Sequence, residues 1–129
     1  DITEEELATK IGAMAANIKN MSKSIFNFHC PPYNSGIDMA PKLDAGLRPE
    51  VEGGRFKMIP VGSTAIRDAI QRHQPLMGLH GHIHESRGEQ KIGRTLCVNP
   101  GSEYSEGILR GALINLDEKG VKSLLLTSG

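Results

Sequence analysis

Twice in this sequence an amphipathic helical pattern runs straight into a short apolar strand that ends at a histidine. The first instance opens the chain. Leu7, Ile11, Met14, Ile18 and Met21 recur at three- and four-residue intervals and predict a helix over residues 2–21. Thr3 and Glu6 have the spacing of a capping box, and Ile2 and Leu7 that of a hydrophobic staple. Glu4, Glu5 and Glu6 suit the positive start of the helix dipole, and Lys19 and Lys23 its negative end. Ile25, Phe26 and Phe28 then form a strand over 24–29, which Pro31-Pro32 prevents from continuing. In the second instance Ser63 caps a helix whose inner side is Ile66, Ala69 and Ile70. That helix must stop before Pro75, whose ring disfavours helical geometry at Gln74, and Leu76, Met77 and Leu79 follow as a buried strand. A repeated helix-then-strand order implies neighbouring parallel strands joined by a crossover, hence an α/β fold.

The remaining segments fill out a mixed sheet with flanking helices and a C-terminal antiparallel hairpin. Strands are expected over 95–98, 109–116 and 121–127, with a turn at Asp117-Glu118-Lys119-Gly120. Ala112, Ile114 and Leu116 alternate on one strand face, and Leu113 with the leucines of 121–127 covers the other. This pattern predicts burial against both helices and a further sheet. Residues 33–60 are rich in glycine and proline and read as a long loop with a short strand at 55–59, serving either substrate contact or as a tolerated surface insertion.

At 129 residues the chain is one domain, 1–129. With 15 basic against 15 acidic residues it carries no electrostatic footprint for nucleic acid or an anionic membrane. Its 38% hydrophobic content argues against disorder, yet no apolar run is long enough to span a membrane and no secretory signal opens the sequence. Cys30 and Cys97 are expected as free thiols of a cytoplasmic protein. Asp1 stands where a methionine would begin a complete chain, so an upstream segment is expected.

The chemistry lies in the histidines. Leu79-His80-Gly81-His82-Ile83-His84-Glu85 directly follows an apolar strand, and in extended backbone His82 and His84 would address one cavity. His29 also ends a strand. If the two strands are parallel neighbours, His29 and His82 emerge at the same carboxyl edge, where open α/β sheets bind ligands. Any one of these residues alone is better explained as a loop histidine bonded to backbone; the matched positions of three reverse that preference in favour of a metal. His80 is either a supporting residue or merely the end of its strand, and His73 is accounted for by a helix terminus. No compact Cys/His spacing supports a zinc site with Cys30 or Cys97.

Gly81-His82-Ile83-His84 with Glu85, preceded by Asn27-Phe28-His29-Cys30-Pro31-Pro32 and followed by Asn99-Pro100-Gly101-Ser102, resembles the calcineurin-like metallophosphoesterases. The resemblance covers the carboxyl-terminal half of that family's domain and implies about half of its αββα sandwich. It implies His29 and His82 as ligands of one metal and His84 as a ligand of the other, in a centre of two divalent ions drawn from Mn, Fe, Ni or Zn. It further implies hydrolysis of a phosphodiester or phosphomonoester by a metal-bridging hydroxide. Asn99 to Ser102 would support the site, and Glu85 gains no secure role.

The family's amino-terminal Asp-x-His, Gly-Asp and Gly-Asn-His motifs are absent here. The isolated chain is therefore expected to hold at most one metal weakly and to be inactive alone, needing the missing amino-terminal half as its partner. The alternative is a non-catalytic interaction scaffold with the same fold. An apolar face left uncovered by the missing half predicts a homodimer.

Overall fold

The computed structural model describes residues 1–129. Its centre is a four-stranded sheet in the order β1 (Ile25–Asn27), β6 (Met77–Leu79), β8 (Thr95–Asn99), β7 (Gly88–Ile92). The intervening β2 (Met39–Pro41), β3 (Val51–Glu52), β4 (Arg55–Phe56) and β5 (Met58–Pro60) lie outside this sheet. The expected parallel pairing is present: Ile25 faces Met77 and Asn27 faces Leu79, and β6 in turn runs parallel to β8. β7 returns antiparallel along β8 and makes the sheet mixed.

Helices α1 (Glu4–Ala15) and α2 (Thr64–His73) pack on each other and supply the core. Ile11, Ile66, Ala69 and Ile70 from the helices meet Phe26, Ile92 and Cys97 from the sheet, all buried. Both caps form as the sequence indicates. The Thr3 hydroxyl accepts from the Glu6 amide at 3.1 Å, while a Glu6 carboxylate oxygen accepts from the Thr3 amide at 2.9 Å. The Ser63 hydroxyl accepts from the Ile66 amide, and Gln74 closes α2 in a left-handed conformation just before Pro75.

Four expectations need correction. The first helix ends at Ala15 rather than Met21, where Asn17 turns its side-chain amide back onto the Ala13 carbonyl and competes with helix continuation. Lys19 and Lys23 consequently lie beyond the helix, while Ile18 and Met21 still pack on the core from a following turn; Met14, within the helix, is 66% exposed rather than part of the core. Residues 33–60 are not a single loop, since β2 pairs with β5 and β3 with β4. Asp38, fully buried, organises this stretch by accepting from the amides of Asn34, Ser35, Gly36 and Gly62. β7 was not anticipated from the sequence; its Gly-Glu-Gln-Lys-Ile lacks an apolar alternation because it is an edge strand.

The fourth correction concerns β9 (Arg110–Asp117) and β10 (Gly120–Ser128). They form the expected hairpin, with the Asp117 carboxylate accepting from the Lys119 and Gly120 amides in the turn. The hairpin is a separate two-stranded ribbon, however, and is not buried against both helices. The cross-strand pair Leu113 and Leu125 remains 57% and 60% exposed.

Candidate metal centre and its scaffold

Parallel pairing of β1 with β6 carries the two histidine-bearing segments out of the sheet side by side. Their backbones stay joined past the strands: Phe28 donates to the Leu79 carbonyl at 3.1 Å and Gly81 to the His29 carbonyl at 2.8 Å. The His29 and His82 rings consequently meet edge to face, with centroids 5.3 Å apart. A methyl on the Gly81 α-carbon would lie 3.4 Å from His29 Nδ1 and Cε1, in ordinary van der Waals contact, so the approach of the two segments does not itself require glycine there. Both imidazoles are exposed, so their nitrogens are accessible to an ion.

His82 does not stand in extended backbone. Its φ is +62°, and Ile83 donates to the Gly81 carbonyl across it at 2.6 Å. An i-to-i+2 hydrogen bond around a left-handed residue is the geometry of the γ-turn that is rare because it is strained. This turn separates His84 from His82. The His84 ring instead meets Tyr104 edge to face, with centroids 5.7 Å apart. The structure thus brings His29 and His82 together and places His84 in a neighbouring position. No three of the chain's His, Cys, Asp and Glu side chains form a group able to hold an ion by themselves. Two imidazoles are donors of the kind a divalent transition metal accepts, and any ion held by the His29–His82 pair would need its other ligands from outside this group.

Two buried residues hold the arrangement. His80 is 7% exposed, and its Nδ1 lies 3.0 Å from the Phe28 carbonyl and 3.1 Å from the Cys30 carbonyl, which flank His29. Carbonyls only accept, so Nδ1 carries the proton and the ring clamps the chain on both sides of His29. Burial holds this imidazole below its ordinary pKa, against the raising effect of the two carbonyls. Its Nε2 is buried without a partner and lies over Gly78, where a methyl would come within 2.5 Å of it. Gly78 therefore makes room for the clamp.

Asn99, fully buried, secures the other segment. Its side-chain amide donates to the carbonyls of Ile83 at 2.9 Å and Ile37 at 3.1 Å, and its oxygen accepts from Gly101. The Ser102 amide then donates to the His84 carbonyl at 3.0 Å. Gly101, with φ +72°, fits closely here, since a methyl would meet the His84 carbonyl at 2.9 Å. The Asn99-Pro100-Gly101-Ser102 segment is thereby stitched to the backbone that carries His82 and His84. The sequence indicated its proximity but not the three hydrogen bonds made by the asparagine side chain. Glu85 is exposed beside His84, and the buried Asp38 is used structurally.

No protein-family model matches the chain. An uncharacterized protein of Methanocaldococcus jannaschii is 37% identical over 102 residues, a match covering 78% of this chain and 39% of that protein. A solved crystal structure matches 92% of this chain with a TM-score of 0.53, at 22% identity and over 37% of its own chain. That likeness is one of fold. The chain thus corresponds to well under half of each of these longer relatives. No helix is long and apolar enough to cross a membrane.

Proposed function

We propose that the chain is the part of a metal-dependent phosphoesterase that carries His29, His82 and His84. The observation that carries this reading is the His29–His82 pair: two accessible imidazoles meeting at the carboxyl ends of two parallel strands. The resemblance of the histidine and Asn99-Pro100-Gly101-Ser102 segments to calcineurin-like metallophosphoesterases supports it further. Bound divalent ions, of Mn, Fe, Ni or Zn, would supply an activated water and offset charge on a phosphodiester or phosphomonoester. This chain's own contribution is imidazole donors at His29 and His82 for one ion and at His84 for the second. His80 and Asn99 fix the backbone on which those rings ride. We place the protein in the cytoplasm, a placement that its two unbridged cysteines support.

A second reading, a non-catalytic interaction scaffold, draws on the exposed Leu113 and Leu125 of the ribbon. Calorimetric titration of the chain with Mn²⁺, Ni²⁺ and Zn²⁺ separates the two. Weak one-to-one binding lost in both His29→Ala and His82→Ala is expected for the metal reading. In the longer protein, the same substitutions should abolish metal-dependent hydrolysis of an aryl phosphodiester. Metal affinity indifferent to both substitutions, with no hydrolysis by the longer protein, overturns the phosphoesterase reading in favour of the scaffold.

A further inference from the structure

A cavity of about 340 Å³ opens beside His84, between the segment 84–87, the segment 101–105 and Arg110. None of its lining residues is hydrophobic. The lining itself offers an apolar leaving group nothing to exchange for water, which leaves only the exposed Tyr104 ring beside it. Nor is the cavity an anion trap: Arg87 and Arg110 are balanced by Glu85 and Glu103. Arg110 is already engaged in an ion pair with Glu103, and Arg87 donates to the Thr127 carbonyl at 3.3 Å while remaining exposed.

What remains is a ring of interspersed donors and acceptors. Arg87 donates, Glu85 accepts, and the hydroxyls of Ser102 and Ser105 do either. A group that itself both donates and accepts at several adjacent atoms matches such a lining, and vicinal hydroxyls are that group. Tyr104 adds a flat apolar surface. It is 75% exposed, its ring is propped by the edge-to-face contact with His84, and its neighbours Glu103 and Ser105 both line the cavity. An exposed phenol ring set among polar groups covers the C–H face of a sugar while the polar groups address its hydroxyls.

We infer that this cavity binds the sugar portion of a sugar-bearing phosphate ester, with the phosphoryl group directed towards the histidines. The inference rests on the proposed phosphoesterase reading and narrows its substrate class. A site that hydrogen-bonds hydroxyls strongly rejects analogues lacking them, so Glu85 and Ser105 determine specificity without taking part in the chemistry.

The test is an amide chemical-shift titration of the 129-residue chain with glucose 6-phosphate, phenyl phosphate and inorganic phosphate, each without metal. Glucose 6-phosphate should shift the amides of Ser102 and Ser105 and the Tyr104 ring, with affinity about tenfold weaker in Glu85→Ala. Phenyl phosphate and inorganic phosphate should bind these positions far more weakly. Equal shifts from inorganic phosphate, equal or tighter binding of phenyl phosphate, or no shift at these residues from glucose 6-phosphate each overturn the inference. Adding Mn²⁺ to the same samples reads the metal site separately, through broadening at Gly81 and Ile83. Sugar-phosphate shifts without that broadening overturn the metal reading alone; broadening without those shifts overturns only the sugar subsite.

Discussion

The His29 and His82 rings are held in contact by backbone hydrogen bonds that extend the β1–β6 pairing beyond both strands. His29 arrives on ordinary backbone, whereas His82 arrives through a left-handed γ-turn. The two partners therefore differ in what their positions cost the fold.

That difference gives a first prediction. A left-handed conformation at a residue with a Cβ costs about 1 kcal/mol or more, and glycine relieves it. His82→Gly should raise unfolding free energy by about 1 kcal/mol while removing metal binding. His82→Ala should lose the metal with no such gain. Urea denaturation of both variants checks this, and equal stability of the two would show that the turn is unstrained.

Asn99 satisfies two carbonyls and one amide from a fully buried position. Asn99→Ala strands all three, and each unpaired buried polar group costs about 1 kcal/mol or more. We expect a loss of about 3 kcal/mol in chemical denaturation. Asn99→Asp should be at least as damaging, because a carboxylate would then face the carbonyls of Ile37 and Ile83. Metal affinity should fall in both variants, since the Ile83 carbonyl belongs to the turn that presents His82.

The parts of this architecture legible in the sequence are those with local causes. Thr3 and Glu6, Ser63 and Pro75 bound their helices through contacts within a few residues, and the apolar runs at 25–28 and 76–79 read directly as strands. The meeting of His29 with His82 followed from one topological step, the parallel crossover. What escaped depends on distant partners. β7 has a polar sequence because it only lines the sheet edge, and the 39–60 strands pair with one another over a stretch organised by one buried carboxylate, Asp38. The γ-turn leaves no compositional mark, because the residue in the left-handed conformation is a histidine rather than a glycine. The two-sided apolar pattern of β9 and β10 was real, but burial was the wrong inference from it within this chain.

Cys97 gives a third prediction. Burial pushes its thiol up to about 11, with Arg67 pulling only weakly the other way. At pH 8 about one molecule in a thousand carries the reactive thiolate, and that sulfur is enclosed by the core. Iodoacetamide should leave the Cys97 peptide unmodified in the folded chain and label it promptly in urea, as read by peptide mass spectrometry. Rapid labelling without denaturant would mean that the sheet opens locally far below the global unfolding free energy.

The last prediction concerns the contact between the two helices. One Glu4 carboxylate oxygen accepts from the Ala65 amide at 2.7 Å, the Ser63 hydroxyl at 2.7 Å and the Thr64 hydroxyl at 3.2 Å. An acidic residue of α1 thus occupies the positive start of α2. Burial by itself would raise this carboxyl, but the hydrogen bonds from Ala65, Ser63 and Thr64 together outweigh it and hold the pKa below the ordinary value. A group whose folded pKa is depressed contributes stability above its unfolded pKa and loses it as pH falls through the folded value. Glu4→Gln should therefore be less stable than the parent chain at neutral pH, and the difference should shrink to nothing in strong acid. Because Glu4 is largely solvent-exposed, screening keeps the effect below about 1 kcal/mol. Urea titrations of both chains at pH 7 and at pH 2.5 measure the difference directly. A gap that persists unchanged in acid would show that shape and neutral hydrogen bonding, rather than the charge, join α1 to α2.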